Sequence, residues 1–191
     1  NGKPLTIGEA QRMAKNELVR NGNDLSVNKL QYALLGDPAL SLALPTLSVA
    51  VDSINGKAIT ANDMPRIKAG ELVRVAGHIV RNGEKMKDFN GTMSAIVRDT
   101  EEQIVCKLND ESKDGADVPL KYTDRTKILF HGSNKVKDGD FSFVFAVPMD
   151  INYAEGNGLM NFYAIDDDKT FSAHGAFDQF EVNGSVTMEN D

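Results

Sequence analysis

The chain has 191 residues, a net charge of −7, and 41% hydrophobic and 26% charged residues. This composition is typical of a folded globular protein, and the absence of any Lys/Arg cluster excludes nucleic acid as the main partner. No apolar run reaches the length of a transmembrane helix. The single cysteine excludes an internal disulfide, and one Cys with three His does not form a usual zinc site, so we predict no cofactor.

The first residues predict one amphipathic helix. Thr6 to Glu9 match a capping box, in which the Thr6 hydroxyl and the Glu9 carboxylate each accept a backbone N–H. Apolar residues then recur at helical spacing as far as Leu18, and Asn21-Gly22 supplies a stop. We therefore expect a helix over residues 6–20. Because the chain starts at Asn1 without a signal-peptide pattern, we also expect it to be a piece of a longer protein.

The most apolar stretch, "QYALLGDPALSLALP" (31–45), contains a turn at Gly36-Asp37-Pro38. A helix does not tolerate this proline in its interior, and a surface loop is rarely so hydrophobic. We interpret Gly36, Asp37 and Pro38 as a domain junction. The apolar residues on its two sides would then pack in two different domains. The predicted domains are residues 1–45 and 46–191.

Beyond Pro45 the apolar period falls to two, and Asn-Gly pairs separate the segments. Phe141, Phe143 and Phe145 form the clearest alternating strand. A change of phase near Gly175 suggests a β-bulge. We predict a mainly β domain, an immunoglobulin-like antiparallel sandwich of seven to nine strands, with a closed barrel as the alternative. Asn109 to Val118 are expected to form an exposed loop.

The cysteine, the histidines and an acidic run are the candidate reactive or metal-binding side chains. Cys106 is in phase with Ile104, so we expect it to point into the core as a small hydrophobe. The histidines, His78, His131 and His174, are widely spaced and are expected to be solvated. The acidic run from Asp166 to Asp168 lacks EF-hand spacing and is interpreted as a turn, with a calcium site as the alternative. We predict no catalytic and no metal-binding residue.

The loop from Asp150 to Gly158 is the most distinctive of the β part. It combines an aromatic ring with carboxylate and amide groups, so a sugar or a peptide edge is one candidate ligand. The binding residues would be Asp150, Asn152, Tyr153 and Asn157. A purely structural crossover, in which glycines provide positive φ, is the interpretation we favour.

Three segments together resemble the gingipain-type cysteine peptidase family. "YALLGDPAL" is similar to the motif that ends the peptidase domain in that family, and "TIGEAQRMAKNEL" to the helix before it. "DFNGTMSAIVRD" and "FSFVFAVPMDINYAEGNGLMNFYA" are similar to the region that follows the peptidase domain in sortases of the Bacteroidetes type IX secretion system. The resemblance covers most of the chain.

The resemblance implies a short α-helical remnant of an α/β caspase-like domain (residues 1–45) followed by the immunoglobulin-like domain. The parent would be an exported protein at the outer-membrane surface that removes C-terminal sorting signals from secreted cargo. Its catalytic His and Cys would precede this segment, so Cys106 is not the nucleophile and the fragment is expected to be inactive. Implied partners are its own upstream peptidase domain, secretion-system proteins or cargo, and surface polysaccharide. A carbohydrate-binding or adhesive surface module is the alternative.

Overall fold

The structure is a computed structural model that describes residues 5–22, 31–42, 45–60, 64–107, 118–152 and 156–183. The chain divides into two compact units, residues 1–44 and residues 45–191. The predicted domains, residues 1–45 and 46–191, and the assignment of the first to a peptidase domain stay predictions. No helix among the described residues is long and apolar enough to cross a membrane.

The first unit contains helix α1, Ile7–Arg20. Thr6 is its N-cap, and the predicted capping box forms with both hydrogen bonds between Thr6 and Glu9. Asn21 is the C-cap, and Gly22 follows with φ +64°. The predicted helix is therefore confirmed at both ends, although none of its residues is buried.

The second unit is built from fourteen described strands. They are β1 Leu47–Ile54, β2 Lys57–Ala58, β3 Arg66–Lys68, β4 Leu72–Arg81, β5 Glu84–Lys85, β6 Gly91–Arg98, β7 Glu102–Val105, β8 Lys121–Asp124, β9 Ile128–Lys137, β10 Asp140–Ala146, β11 Gly156–Asn157, β12 Leu159–Asp166, β13 Ser172–Phe177 and β14 Glu181–Asn183. The prediction of a mainly β protein is confirmed.

Seven strands pair around a closed ring in the order β1-β13-β12-β6-β9-β10-β4 and back to β1. All these pairings are antiparallel except the one between β1 and β13. The ring closes because β1 pairs with both β4 and β13, and β9 pairs with both β6 and β10. This barrel-like sheet corresponds to the sequence alternative, and two separate immunoglobulin-like sheets are not confirmed. The alternation of apolar and polar residues indicates which face of a strand is buried, but it does not indicate whether the sheet closes into a ring.

The core fills the inside of this ring. The predicted aromatic strand β10 places Phe143 against Phe130 of β9 (ring centroids 5.4 Å apart) and Phe162 of β12 (6.4 Å). Phe141 and Phe145 are also buried. Such a side chain contributes roughly 1.5–3 kcal/mol when it is fully buried.

Two expectations for the β part are wrong. The register between β12 and β13 runs without a shift through Gly175, and the described bulges lie at Val51/Ser53 and Val97/Arg98. Gly175 instead packs against β1, since an added Cβ would lie 2.7 Å from the Val49 carbonyl oxygen. Cys106 follows β7 and is half-buried, outside the core, because the β7–β8 ribbon is a separate two-stranded sheet.

Candidate functional site

The loop proposed from sequence as a binding loop is anchored to the fold at its start. Asp150 and Asn152 precede Tyr153, which lies outside the described residues, and Asn157 belongs to β11. The backbone N–H of Asn152 donates to Asp99 Oδ2 over 2.6 Å, and the Ile151 side chain between them is buried. The described start of the loop is therefore held in place by the barrel.

The carboxylate of Asp99 is the centre of this anchor. Asp99 follows β6 and is completely buried, and its other oxygen accepts the N–H of Thr100 over 2.8 Å. Its own N–H donates to the carbonyl of Lys127 over 3.0 Å. A buried carboxylate needs such donors to offset its lost hydration. Sequence reasoning missed Asp99, because nothing local distinguishes it from the surface acids around it.

Two ion pairs surround Asp99. Arg125 Nη1 lies 2.8 Å from Glu101 Oε1, and the Arg125 guanidinium approaches the Asn157 carbonyl oxygen at 3.5 Å. Lys127 Nζ lies 3.1 Å from Asp150 Oδ2. The hydrogen bond from Lys127, followed by the attraction of its charge, lowers the pKa of Asp150 below its ordinary value of 3.8. The Asp150 carboxylate and the Asn157 backbone carbonyl thus already have partners in the fold.

A polar cavity of about 250 Å³ opens beside these pairs. Its lining includes Thr100, Glu101, Arg125, Gly156 and Asn157. The buried Thr100 hydroxyl has no hydrogen-bond partner among the described residues. The cavity offers hydrogen-bond donors and acceptors, and the charges of Glu101 and Arg125 in its lining compensate each other. Such a lining suits a small neutral polar molecule better than an ion.

The three histidines considered from the sequence lie on three different strands, β4, β9 and β13. His78 Nδ1 lies 2.8 Å from Asp52 Oδ2, across the β1–β4 pair, while His131 and His174 are exposed. Asp166 begins a turn in which its carboxylate accepts the N–H of Phe171 over 2.8 Å, as an acidic turn requires. Within the described ranges, no three His, Cys, Asp or Glu side chains group as metal ligands.

The junction residues Gly36, Asp37 and Pro38 form a turn against the start of α1. Asp37 Oδ1 accepts the N–H of Ala39 over 2.9 Å, and the Pro38 carbonyl accepts the N–H of Gly8 over 3.0 Å. A Cβ on Gly8 would lie 2.7 Å from Pro38 Cβ, so glycine is what permits this close approach. The turn is therefore part of the first unit and fixes the start of its helix.

The first unit leaves large apolar side chains in solvent. Leu35 is 95% exposed and Tyr32 is 70% exposed, and both stand just before the Gly-Asp-Pro turn. Other exposed apolar residues of this unit are Leu5, Met13, Leu18, Val19, Leu40 and Leu42. A contiguous exposed apolar surface is typical of a region that another polypeptide covers.

The chain matches no protein-family model and no curated protein. Among solved structures it is similar to dimeric latent PorU from Porphyromonas gingivalis, with a TM-score of 0.65 and 28% identity over 97% of the chain. The chain spans 17% of that PorU chain. It is also compared with Spo0M, a sporulation control protein from Bacillus subtilis, at a TM-score of 0.41 and 14% identity over 74% of the chain and 51% of Spo0M. The similarity to PorU supports a PorU-like relationship for this chain.

Proposed function

We propose that this chain is a non-catalytic module of a PorU-like sortase of the gingipain type, which braces the peptidase domain and presents a surface to cargo or secretion-system proteins. The observation that carries the proposal is the structural similarity to PorU over 97% of the chain. A similarity this extensive includes both units. The parent would act at the bacterial cell surface, associated with the outer membrane, on C-terminal sorting signals of type IX secretion cargo.

The exposed apolar surface of the first unit supports its assignment as the end of a peptidase domain. Helix α1 has a complete capping box and an apolar stripe that includes Met13 and Leu18, yet it buries nothing. A helix of this length is marginal alone in water, so its stability in the parent would come from packing. The upstream peptidase domain is the partner we propose for this stripe.

The strand connections support an immunoglobulin-like refinement of the barrel. Strands β1, β4 and β10 form one run of neighbours, and β9, β6, β12 and β13 form the other. The two runs are joined by short pairings, two residue pairs between β9 and β10 and two between β1 and β13. Phe143 and Phe162 contact each other from opposite runs, as facing layers of a sandwich do.

The test uses the complete gene product from which the chain comes. We expect a His and a Cys in a caspase-like pattern upstream of Asn1, and cleavage of a synthetic sorting-signal peptide by the whole protein. The segment 1–191 alone should not cleave it. A gene without the upstream pair, or turnover by the segment that is lost in Cys106→Ala, would overturn the proposal.

The bracing role has a separate test in the same protein. Met13→Lys with Leu18→Lys places charge in the apolar stripe, and Asn16→Lys, at an exposed position on the opposite side of the same helix, is the matched control. We expect the double variant to lower the yield of folded protein and its peptidase activity, while the control behaves as the unchanged protein. Equal behaviour of both variants would exclude the helix as a docking element.

Glycan binding is a second candidate, favoured by the polar cavity at Thr100, Glu101 and Arg125. The ligand would be a neutral sugar unit of a surface polysaccharide, held by hydrogen bonds at this cavity. Titration of the segment with purified surface polysaccharide should show binding that Asn157→Ala and Tyr153→Ala weaken. Binding that neither substitution changes would remove this site from consideration.

A further inference from the structure

Asn-Gly pairs form turns of the β part, and each pair also places a backbone nitrogen next to a reactive side-chain amide. The glycine nitrogen attacks Cγ of the asparagine, because glycine has no Cβ to hinder the approach. A C–N bond forms, the bond from Cγ to the side-chain nitrogen breaks, and ammonia departs with the glycine N–H proton, which leaves a succinimide ring. Water then opens the ring at either carbonyl and produces an aspartyl or an isoaspartyl residue. Deamidation of such a pair therefore needs water alone.

The Asn55-Gly56 and Asn82-Gly83 turns have nearly the same backbone conformation. Each is the two-residue loop of a hairpin, between β1 and β2 in the first case and between β4 and β5 in the second. The φ angles are +52° and +77° in the first loop and +53° and +85° in the second. All four residues are exposed, and neither glycine N–H donates to a backbone carbonyl of the described residues. A difference in reactivity between the two turns must therefore come from the asparagine side chains.

The fold holds the side chain of Asn55 in place. Its Nδ2 donates to Glu71 Oε1 over 2.8 Å, and its Oδ1 accepts the N–H of Arg74 over 2.8 Å. The backbone N–H of Asn55 also donates to the Arg74 carbonyl over 2.7 Å, so the residue is fixed against β4. Both side-chain bonds must break before Cγ can turn toward the nitrogen of Gly56. Each such bond should slow the attack by about two- to twelvefold.

The side chain of Asn82 has no such restraint. Among the described residues, none forms a hydrogen bond with its carboxamide. The cations beside it have other partners, since the guanidinium carbon of Arg81 lies 4.6 Å from the centroid of the Phe171 ring and Lys85 forms an ion pair with Asp140. The carboxamide is therefore free to turn toward the next backbone nitrogen.

Three other Asn-Gly pairs lie wholly within the described residues, and in each a hydrogen bond restrains one of the reacting groups. These bonds are Gly158 N–H to the Phe180 carbonyl (3.2 Å), Asn21 Nδ2 to Glu17 Oε1 (2.8 Å) and Asp138 N–H to Asn90 Oδ1 (3.0 Å). Asn82 differs from these because, within the part of the chain that the structure describes, neither its carboxamide nor the following nitrogen is hydrogen-bonded.

We propose that Asn82 is a modification site at which the fold directs spontaneous deamidation, ahead of Asn55 and of the other described Asn-Gly pairs. The product carries a new carboxylate in the β4–β5 loop. In the isoaspartyl product the main chain also gains one methylene group after position 82. A two-residue loop that pairs Arg81 with Glu84 does not accommodate an added backbone atom, so this pairing should open. Strand β5 lies outside the seven-strand ring, so the barrel should stay folded.

Prolonged incubation of the folded chain at neutral pH in oxygen-18 water, followed by peptide mapping with mass spectrometry, tests the proposal. We expect Asn82 to convert about tenfold or more faster than Asn55, because only Asn55 must first lose two hydrogen bonds. A purified protein isoaspartyl methyltransferase should label the fragment that contains position 82. Equal rates at the two positions, or faster conversion of Asn55, would overturn the proposal.

Two controls show whether the fold, and not the local sequence, selects Asn82. Glu71→Ala removes the acceptor of Asn55 Nδ2 and should raise the rate at Asn55 by about two- to twelvefold, while the rate at Asn82 stays the same. In concentrated urea both asparagines should convert at comparable rates, since each is followed by glycine. An unchanged rate at Asn55 in Glu71→Ala, or a difference between the two positions that persists in urea, would contradict selection by the fold.

Discussion

Helix α1 and strand β10 differ in where their apolar side chains go. Both carry strong local signals, a capping box in α1 and strict alternation in β10, and both form where the sequence places them. The strand buries Phe141, Phe143 and Phe145 inside a closed ring, whereas the helix buries no residue. Local signals thus specify the element, but its share of the stability depends on the partner that covers it.

Truncation of a core phenylalanine should have the largest effect. Phe143 is 3% exposed and stacks with the Phe130 and Phe145 rings. We expect Phe143→Ala to lower the free energy of unfolding by about 3–5 kcal/mol, through lost burial and a cavity. Urea unfolding measures this change. Leu35→Ala in the first unit is the control, and it should change the free energy of unfolding by less than about 0.5 kcal/mol. Equal losses of stability in the two variants would contradict the difference that we describe between the two units.

Removal of the buried anchor carboxylate should have the next largest effect. Asp99→Ala leaves the N–H groups of Thr100 and Asn152 without their acceptor. We expect a loss of about 1–3 kcal/mol in the free energy of unfolding. Exchange of the Asn152 amide should also accelerate relative to amides in β12. An unchanged Asn152 amide would show that Asp99 does not hold the loop.

The helix cap should affect only the first unit. Thr6→Ala removes the acceptor of the Glu9 N–H, which costs a helix about 1 kcal/mol. We expect faster amide exchange across α1 and an unchanged urea midpoint for the β unit, because α1 buries nothing. Unchanged amide exchange across α1 in Thr6→Ala would contradict a role of the cap in holding the helix.

The exposed ion pair should matter least. The pKa of Asp150 is lowered in the folded state by Lys127, so its contribution is present above pH 3.8 and is lost as the pH falls through the lowered value. Asp150 is mostly exposed, so Asp150→Asn should leave stability at neutral pH nearly unchanged. Thermal unfolding at pH 7 and at pH 3 measures this. A large loss at pH 7 would mean that the pair is more than a surface contact.

Much of the architecture could be predicted from short-range patterns. The capping box predicted the start of α1 and Asn21-Gly22 predicted its end. Asn55-Gly56 and Asn82-Gly83 adopt the positive φ that their hairpins need. The candidate site was harder to predict from the sequence. Asn152 and Asn157 were chosen for their chemistry, but the groups that contact their backbones, Asp99 and Arg125, are distant in sequence.

The sequence by itself determined the helix near the start of the chain, the mainly β character of the remainder and the inward face of β10. Those features depend on periodicity and turn chemistry, which act over a few residues. Tertiary structure alone decided that the sheet closes into a ring, that Cys106 lies outside the core and that Gly175 meets β1 without a bulge. These outcomes depend on which distant strands become neighbours, because pairing and burial are properties of the assembled chain.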